Sequence, residues 1–407
     1  MFQDTTLGEM LDFYNGKAIK PGGEGRFPAF GSNGLIGGSD EYRFDDGIVI
    51  GRVGAYCGSV IYCPGKFWAS DNTIVAKPKD QQSSTRFFAY LLRAMNLNRH
   101  AGGAAQPLVT QGTLKSVPAQ VPGQAEQHRI ASILSAYDDL IENNTRRIAV
   151  LEEMARRIYE EWFVRFRFPG HENVRMVESE LGLVPEGWQH RPLGMVVEHH
   201  IGGGWGQEDA SDEFSVPAYV IRGTDIPDLR GGSLGRAPRR FHTPSNFRNR
   251  KLKARDIVFE VSGGSKDQPV GRAVMVPAAV LSRTQSPLIC ASFCRLIRAD
   301  ASQLLPELLH LHFERIYANR QIMQYQTQST GITNFKFTVF LEKEMILQPT
   351  KEAQERFAEA VLPMIGLVER LGVENSNLRA TRDFLLPKLI SGELDVSAMS
   401  EPEEAVA

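Results

Sequence analysis

The side chains in this sequence that could do chemistry are few, and their spacing does not suit catalysis. IGGGWG at 201–206 is the richest glycine run, but no clear strand and helix frame it as a dinucleotide-binding turn requires. GSVIYCPGK at 58–66 has the wrong spacing to cradle phosphates as a P-loop does. The adjacent His199 and His200 read as loop or sheet-surface residues rather than as metal ligands. Cys290 and Cys294, in the β-like run PLICASFCRLI, match no structural zinc pattern. There is no HExxH and no Asn-Pro-Pro-aromatic signature of an amino-methyltransferase. The expectation is a chain with no catalytic centre, no metal site and no cofactor of its own.

The chemistry that remains is recognition. Between Arg222 and Arg272 there are 12 Lys or Arg against five Asp or Glu, a local net charge of about +7, although the whole chain carries only -2. Arg236, Arg239 and Arg240 open this strip, and Arg248, Arg250, Lys251, Lys253 and Arg255 continue it. Phe241, His242, Ser245, Asn246, Phe247 and Asn249 are interleaved. Cations suit phosphates, and Arg, Asn and Ser side chains suit base edges. The same strip could equally be a solvated charged face. Before residue 122 the cations Lys17, Lys20, Arg26, Arg43, Arg52 and Lys66 are scattered among glycines.

The elements that would position such residues repeat. The stretch 124–166 lacks Pro and Gly and carries a heptad seam at Ile130, Leu134, Tyr137, Ile141, Asn144, Ile148, Leu151, Ala155, Ile158 and Trp162. A second seam runs through Phe357, Val361, Met364, Val368, Leu371, Asn375, Leu378, Arg382, Leu385 and Leu389, each 227 residues after its counterpart. Thr350 is the expected N-cap of this second helix. Pro363 and Pro387 predict a bend and a frayed last turn, and Ser391-Gly392 the stop. Leu7-Gly8 and Leu193-Gly194 open the two halves. The β-like runs GIVIGRV, SVIYC, NTIVAK, DIVFEV and GRAVMV lie between each opening and its helix. The layout is globular unit, helix, globular unit, helix, which predicts a pseudo-symmetric molecule that does one job twice. Antiparallel pairing of two helices of about 40 residues gives a rod of ~60 Å, enough to set two readers one to two DNA turns apart.

At 407 residues and 42% hydrophobic, the chain suits several soluble domains. No apolar run approaches the ~18 residues of a membrane span. The start MFQDTTLGEMLDF lacks a basic-then-apolar pattern, so no secretory signal is expected, and four sparse cysteines fit a reducing cytoplasm.

These residues carry a resemblance. PLVTQGTLKSVPAQVPGQAEQHRIASILSAYDDLIENNTRRIAVLEEMARRIYEEWFVRFRFPG resembles the central conserved region of type I restriction–modification specificity subunits. STGITNFKFTVFLEKEMILQPTKEAQERF and FLLPKLISGELDV resemble the family's second helix region, and VPEGWQHRPLG its entry into a second target-recognition domain. The resemblance implies an α+β fold: target-recognition domains at 1–122 and 191–348, helices at 123–168 and 349–392 pairing as an antiparallel coiled coil, a linker at 169–190 and an acidic tail at 393–407. It implies that each domain reads half of a bipartite site on double-stranded DNA, with the helices as the spacer ruler. The implied partners are two methyltransferase subunits and, through them, restriction and translocase subunits. S-adenosylmethionine, ATP and Mg²⁺ would be used by those partners.

FGSNGLIG, GRVGAYCG and their surroundings match recurrent family segments and point to Ser32, Asn33, Arg52, Lys66, Asp71 and Asn72 as DNA-contacting residues. YVIRGTDI and FEVSGGSKDQPVGR point likewise to Arg222, Thr224, Ser262, Lys266 and Arg272. The basic strip adds Arg239, Arg240, Lys251 and Lys253. Two other readings use the same layout: a stand-alone sequence-specific DNA-binding regulator, and a coiled-coil scaffold that meets no DNA.

Overall fold

A computed structural model describes residues 2–102, 107–264, 268–329 and 332–398. The chain is mixed α+β and divides into two compact units, Met1–Asp139 with Arg379–Ala407, and Leu140–Leu378. The boundaries cut both long helices, so each unit holds one end of the helix pair. Sequence reasoning treats the helices as elements of their own.

In the first unit a six-stranded sheet runs in the order Leu11–Asn15, Thr73–Pro78, Phe44–Gly51, Val60–Ala69, Phe27–Gly31, Gly34–Ser39. All neighbours are antiparallel except Val60–Ala69 and Phe27–Gly31, which run parallel. The central strands read as continuous apolar runs because both faces are covered: Ile48, Val49, Ile50, Ile74, Val75 and Ala76 are all buried. Helix Thr85–Ala94 starts at Ser84, whose Oγ accepts from Phe87 N, and its Phe87, Phe88, Leu91 and Leu92 join one core with Ile130, Leu134 and Leu389.

The second unit holds a four-stranded sheet (Val197–Gly202, Cys294–Ala299, Ile257–Glu260, Ala273–Met275) and a three-stranded one (Arg239–His242, Val216–Ile221, Leu288–Cys290). Phe259, Phe313, Phe335, Phe337 and Phe340 form its aromatic centre. The span expected as a linker contains a hairpin, Met176–Ser179 with Gly182–Pro185.

The central helix is Gln124–Tyr159, followed by a π turn at Glu160–Val164 rather than a regular helix to 166. The wide turn lets neighbouring rings Trp162 and Phe163 both meet Phe357, at 5.9 and 5.0 Å. Phe166, at φ 59°, then ends the helical path. The C-terminal helix runs Lys351–Ile390 without a break at Pro363 or Pro387. Ala353 N donates to the Thr350 hydroxyl at its start, and Gly392 takes φ 74° past its end.

Each unit pairs the helices by itself. In the first, Arg382 bonds Asp138 at 2.6 Å, which explains a cation on an apolar seam. In the second, the pairing is antiparallel: Asn375 Nδ2 donates to Ile141 O and Thr145 Oγ1 at 3.3 Å, and Trp162 meets Phe357. Asn144, between those two partners, is 4% exposed and Asn375 2%. Asn144 Nδ2 and Asn375 Oδ1 have no partner.

One anchor is built twice. Gln127 Nε2 donates to Pro122 O and its Oε1 accepts from Ser84 N; Gln354 Nε2 donates to Pro349 O and its Oε1 accepts from Leu305 N. Leu7 N donates to Val117 O, and Leu193 N to Glu344 O. We expect Gln127→Leu or Gln354→Leu to strand a main-chain donor and a carbonyl, lowering stability by about 1–3 kcal/mol. Denaturant unfolding of each variant measures this, and an unshifted midpoint would refute the anchor.

Candidate nucleic-acid interface

The first unit gathers five of its six predicted residues at one end of the sheet. Ser32 and Asn33 form the turn between Phe27–Gly31 and Gly34–Ser39, Arg52 follows Phe44–Gly51, and Asp71 and Asn72 precede Thr73–Pro78. The Asn72 carbonyl ties them together: it accepts from Ser32 Oγ at 2.5 Å and from Arg52 N at 2.9 Å. Ser59 Oγ in turn donates to Ser32 O at 2.7 Å. The Ser32 hydroxyl is thus spent on the turn itself, whereas Asn33, Asp71 and Asn72 are exposed. Arg52 is half-buried and its Nε has no partner. Gly51 is required there, since a Cβ would sit 2.3 Å from Tyr56 O. Tyr56, 59% exposed on the adjoining turn, is a large ring that sequence reasoning missed; a lone Tyr among glycines gives no periodic signal. Lys66 stands apart, in the ladder opposite Asp45 and 4.5 Å over the Tyr42 ring.

In the second unit two groups of predicted residues fall in different surroundings. The first gathers around Glu260. Arg272 donates to both Glu260 oxygens at 2.9 and 2.6 Å, and Arg222 donates to both Asp225 oxygens at 2.8 and 2.7 Å. Those carboxylates, accepting hydrogen bonds, hold both guanidiniums above their ordinary pKa. Glu260 and Asp225 are buried, so both arginines serve the fold by pairing with them. Ser262 Oγ donates to Asn334 Oδ1 at 2.9 Å, and Thr224 is exposed on the turn Gly223–Asp225. Lys266 lies outside the described residues.

The basic strip folds as strand Arg239–His242, helix Pro244–Arg250 and the segment after it. Thr243 caps the helix, its hydroxyl accepting from Asn246 N, and Leu252 N bonds Leu288 O of the same three-stranded sheet. Aromatic rings carry the cations: Arg239 lies 5.4 Å from the Phe241 ring, Arg240 5.1 Å from Trp205 and Lys251 6.0 Å from Phe247. Arg240 also pairs with Glu208. Arg250 donates to Gly202 O and Arg255 pairs with Glu307, so both are occupied. Arg248 and Lys253 are exposed, with no ion pair among the described residues.

The glycine run 203–206 packs here. A Cβ on Gly203 would lie 2.0 Å from Ala291 O, and Gly206 takes φ 74° against Phe241 and His242. Its glycines serve backbone approach, and the run presents Trp205, 43% exposed. His242 Nε2 and Asn246 Oδ1 are buried without partners. Glu208, Asp209, Asp212 and Glu213, all exposed, follow. Trp205 and this acidic loop were not among the predicted residues. His199 Nε2 lies 3.1 Å from Asn249 O, and His200 Nδ1 3.2 Å from Arg295. Burial pushes the Cys290 thiol up to about 12. Among the described residues, no three His, Cys, Asp or Glu are grouped to hold a metal ion, and no helix is long and apolar enough to cross a membrane.

Residues 2–153 match the family described as type I restriction modification DNA specificity domain. Over this stretch the chain is similar to type I specificity subunits. The type I restriction enzyme MjaIX specificity subunit of Methanocaldococcus jannaschii is 25% identical over 335 residues, 79% of this chain and 72% of that one. The EcoprrI specificity subunit of Escherichia coli is 35% identical over 131 residues, 32% of each chain. In fold, the chain is similar to the crystal structure of a type I restriction–modification S subunit from M. genitalium, with a TM-score of 0.63 and 15% identity over 96% of both. The matched domain is one of DNA specificity, and a specificity subunit is not a catalytic one.

The ion-pair geometry separates two kinds of arginine. We expect Arg272→Ala, which leaves Glu260 buried and unpaired, to cost about 3–5 kcal/mol. Lys253→Ala should stay within about 0.5 kcal/mol of the parent. Chemical denaturation distinguishes them, and equal effects would show that Arg272 is not structural.

Proposed function

We propose that this chain is the sequence-specificity subunit of a type I restriction–modification complex, acting in the cytoplasm. Residues 1–122 and 191–348 are its two target-recognition domains, each reading half of a bipartite site on double-stranded DNA. The helix pair docks two methyltransferase subunits, and restriction and translocase subunits join through them. S-adenosylmethionine, ATP and Mg²⁺ belong to those partners. The observation that carries this reading is the match of residues 2–153 to the DNA specificity domain.

In the first domain Asn33, Arg52, Asp71, Asn72 and Tyr56 are the proposed contacts, with Ser32 as the brace of their turns and Lys66 as a separate cation. In the second, Arg239, Arg240, Lys251 and Lys253 meet phosphates, and Thr224, Ser262 and Lys266 are further proposed contacts. Arg222 and Arg272 hold its loops. The purified chain should bind duplex DNA with a steep salt dependence. Changing Arg239, Arg240, Lys251 and Lys253 to Ala should flatten log K against log[salt] by about 0.9 per lost phosphate contact. Binding that ignores salt would sink the DNA reading, and an unchanged slope in a folded variant would move the contacts elsewhere.

The helices are proposed to fix the spacer between the half-sites. One heptad inserted into both keeps the seam and adds about 10 Å, or roughly three base pairs. That step also turns one half-site by roughly 100°. Methylome sequencing of cells expressing the insertion should show a longer spacer between unchanged half-sites, or no modification. Unchanged half-sites at the original spacing would rule out a ruler.

A further inference from the structure

Within the second unit, a cavity of about 90 Å³ opens between the central helix, helix Pro306–Ala318 and the C-terminal helix. It has no part in the proposed DNA interface. Its walls are mainly apolar, with Leu151, Val274, Leu311 and Val368 among them, yet Glu152, Glu307, Glu314 and Glu369 also face it. Two of these carboxylates have cations: Glu314 pairs with Arg230 and Glu307 with Arg255. Glu152 makes no hydrogen bond or ion pair among the described residues, and Glu369 accepts only main-chain N–H, from Ala279 at 3.3 Å. Neither Glu152 nor Glu369 therefore has an ion pair among the described residues, although Arg230 and Arg156 act on Glu152, and Arg255 on Glu369, from beyond ion-pair distance.

A third group points to what the cavity lacks. His310 lines it, and His310 Nε2 is closed off from solvent with no hydrogen-bond partner. The imidazole bonds the Ala273 backbone. With the ring's other nitrogen as the donor in that bond, Nε2 of a neutral ring is an unused acceptor. Burial keeps the ring neutral by pushing its pKa down, and burial pushes the carboxyls of Glu152 and Glu369 up. All three have acceptor capacity left unused. A cation would relieve all three together.

We propose that this cavity binds a primary ammonium group on an unbranched aliphatic stem. The ammonium donates to Glu152, Glu369 and His310 Nε2, and the stem lies on the apolar walls. Its three N–H donors match the three acceptors, and a compact ammonium suits them better than a planar guanidinium. At roughly 10–15 Å³ per water-sized occupant, the space holds roughly six to nine heavy atoms, enough for butylammonium. The group is either a free aliphatic diamine or a lysine side chain of another protein.

Calorimetric titration of the full chain tests this with n-butylammonium against 1-butanol, which has the same stem and no charge. Butylammonium should bind at least about tenfold more tightly, and Glu152→Gln or His310→Leu should each remove about tenfold. Equal binding of the two ligands would reduce the site to an apolar void and overturn the proposal, as would no binding of butylammonium at millimolar concentration. That wild-type comparison needs no variant to fold. Nα-acetyl-lysine N-methylamide and cadaverine then separate the sources. Binding of the blocked lysine assigns a protein side chain, and binding of cadaverine alone a free diamine; either supports the site. DNA binding is unaffected by these ligands if the cavity is independent of the DNA face, so failure here leaves the specificity reading intact.

Discussion

A main-chain amide taken out of water must find a partner, and at the start of each long helix the partner is a glutamine. Gln127 and Gln354 each close a carbonyl five residues before them and the N-cap amide of a second helix. One side chain thus joins a strand end, a short helix and a long helix. The short helices carry the apolar side chains that cover the sheets, Phe87 and Phe88 in one unit, Leu309 and Phe313 in the other. The turns with exposed polar groups are held by those sheets. Losing the glutamine would disturb the position of everything built on that junction.

Charge has been divided between two tasks. Arg222, Arg255, Arg272 and Arg298 face carboxylates that are almost wholly buried, so their charge is neutralised inside the fold. Arg239, Arg248, Lys251 and Lys253 keep their charge at the surface, several of them resting on rings. An aromatic support restricts a long cationic side chain without neutralising it, which favours contact with a phosphate over a permanent internal bond. Arg240 lies between the two classes, packed on Trp205 and paired with an exposed glutamate.

The long helices were legible because a heptad seam is a periodic signal, and the strands because their apolar runs are bounded by glycines. Asn33, Asp71 and Asn72 were legible as loop residues, though the carbonyl that binds their turns was not. The pairing of Arg222 with Asp225 and of Arg272 with Glu260 was not legible, because a matching segment does not show which side chains face each other. The π turn was invisible because its cause, two neighbouring rings seeking one distant Phe357, is tertiary. The glycine run at 201–206 was weighed only as a dinucleotide-binding turn and set aside for want of a framing strand and helix. Its actual demand, backbone contact with residue 291, spans almost 90 positions of sequence.

The two buried asparagines of the helix pair tell the halves of the chain apart. The 227-residue offset maps Asn144 onto Leu371, Asn375 onto Ile148 and Thr145 onto Gly372. Two copies of the central helix laid on the same seam would set Asn144 against Ile148. Two copies of the C-terminal helix would set Asn375 against Leu371, with glycine where Thr145 now offers its hydroxyl. Each like-with-like pairing leaves a buried amide facing hydrocarbon, at about 1–3 kcal/mol per group. The unlike pair gives the Asn375 amide the Ile141 carbonyl and the Thr145 hydroxyl. A chain with two similar halves faces the hazard of self-association through identical segments, and this polar layer biases the helices toward the partner on their own chain.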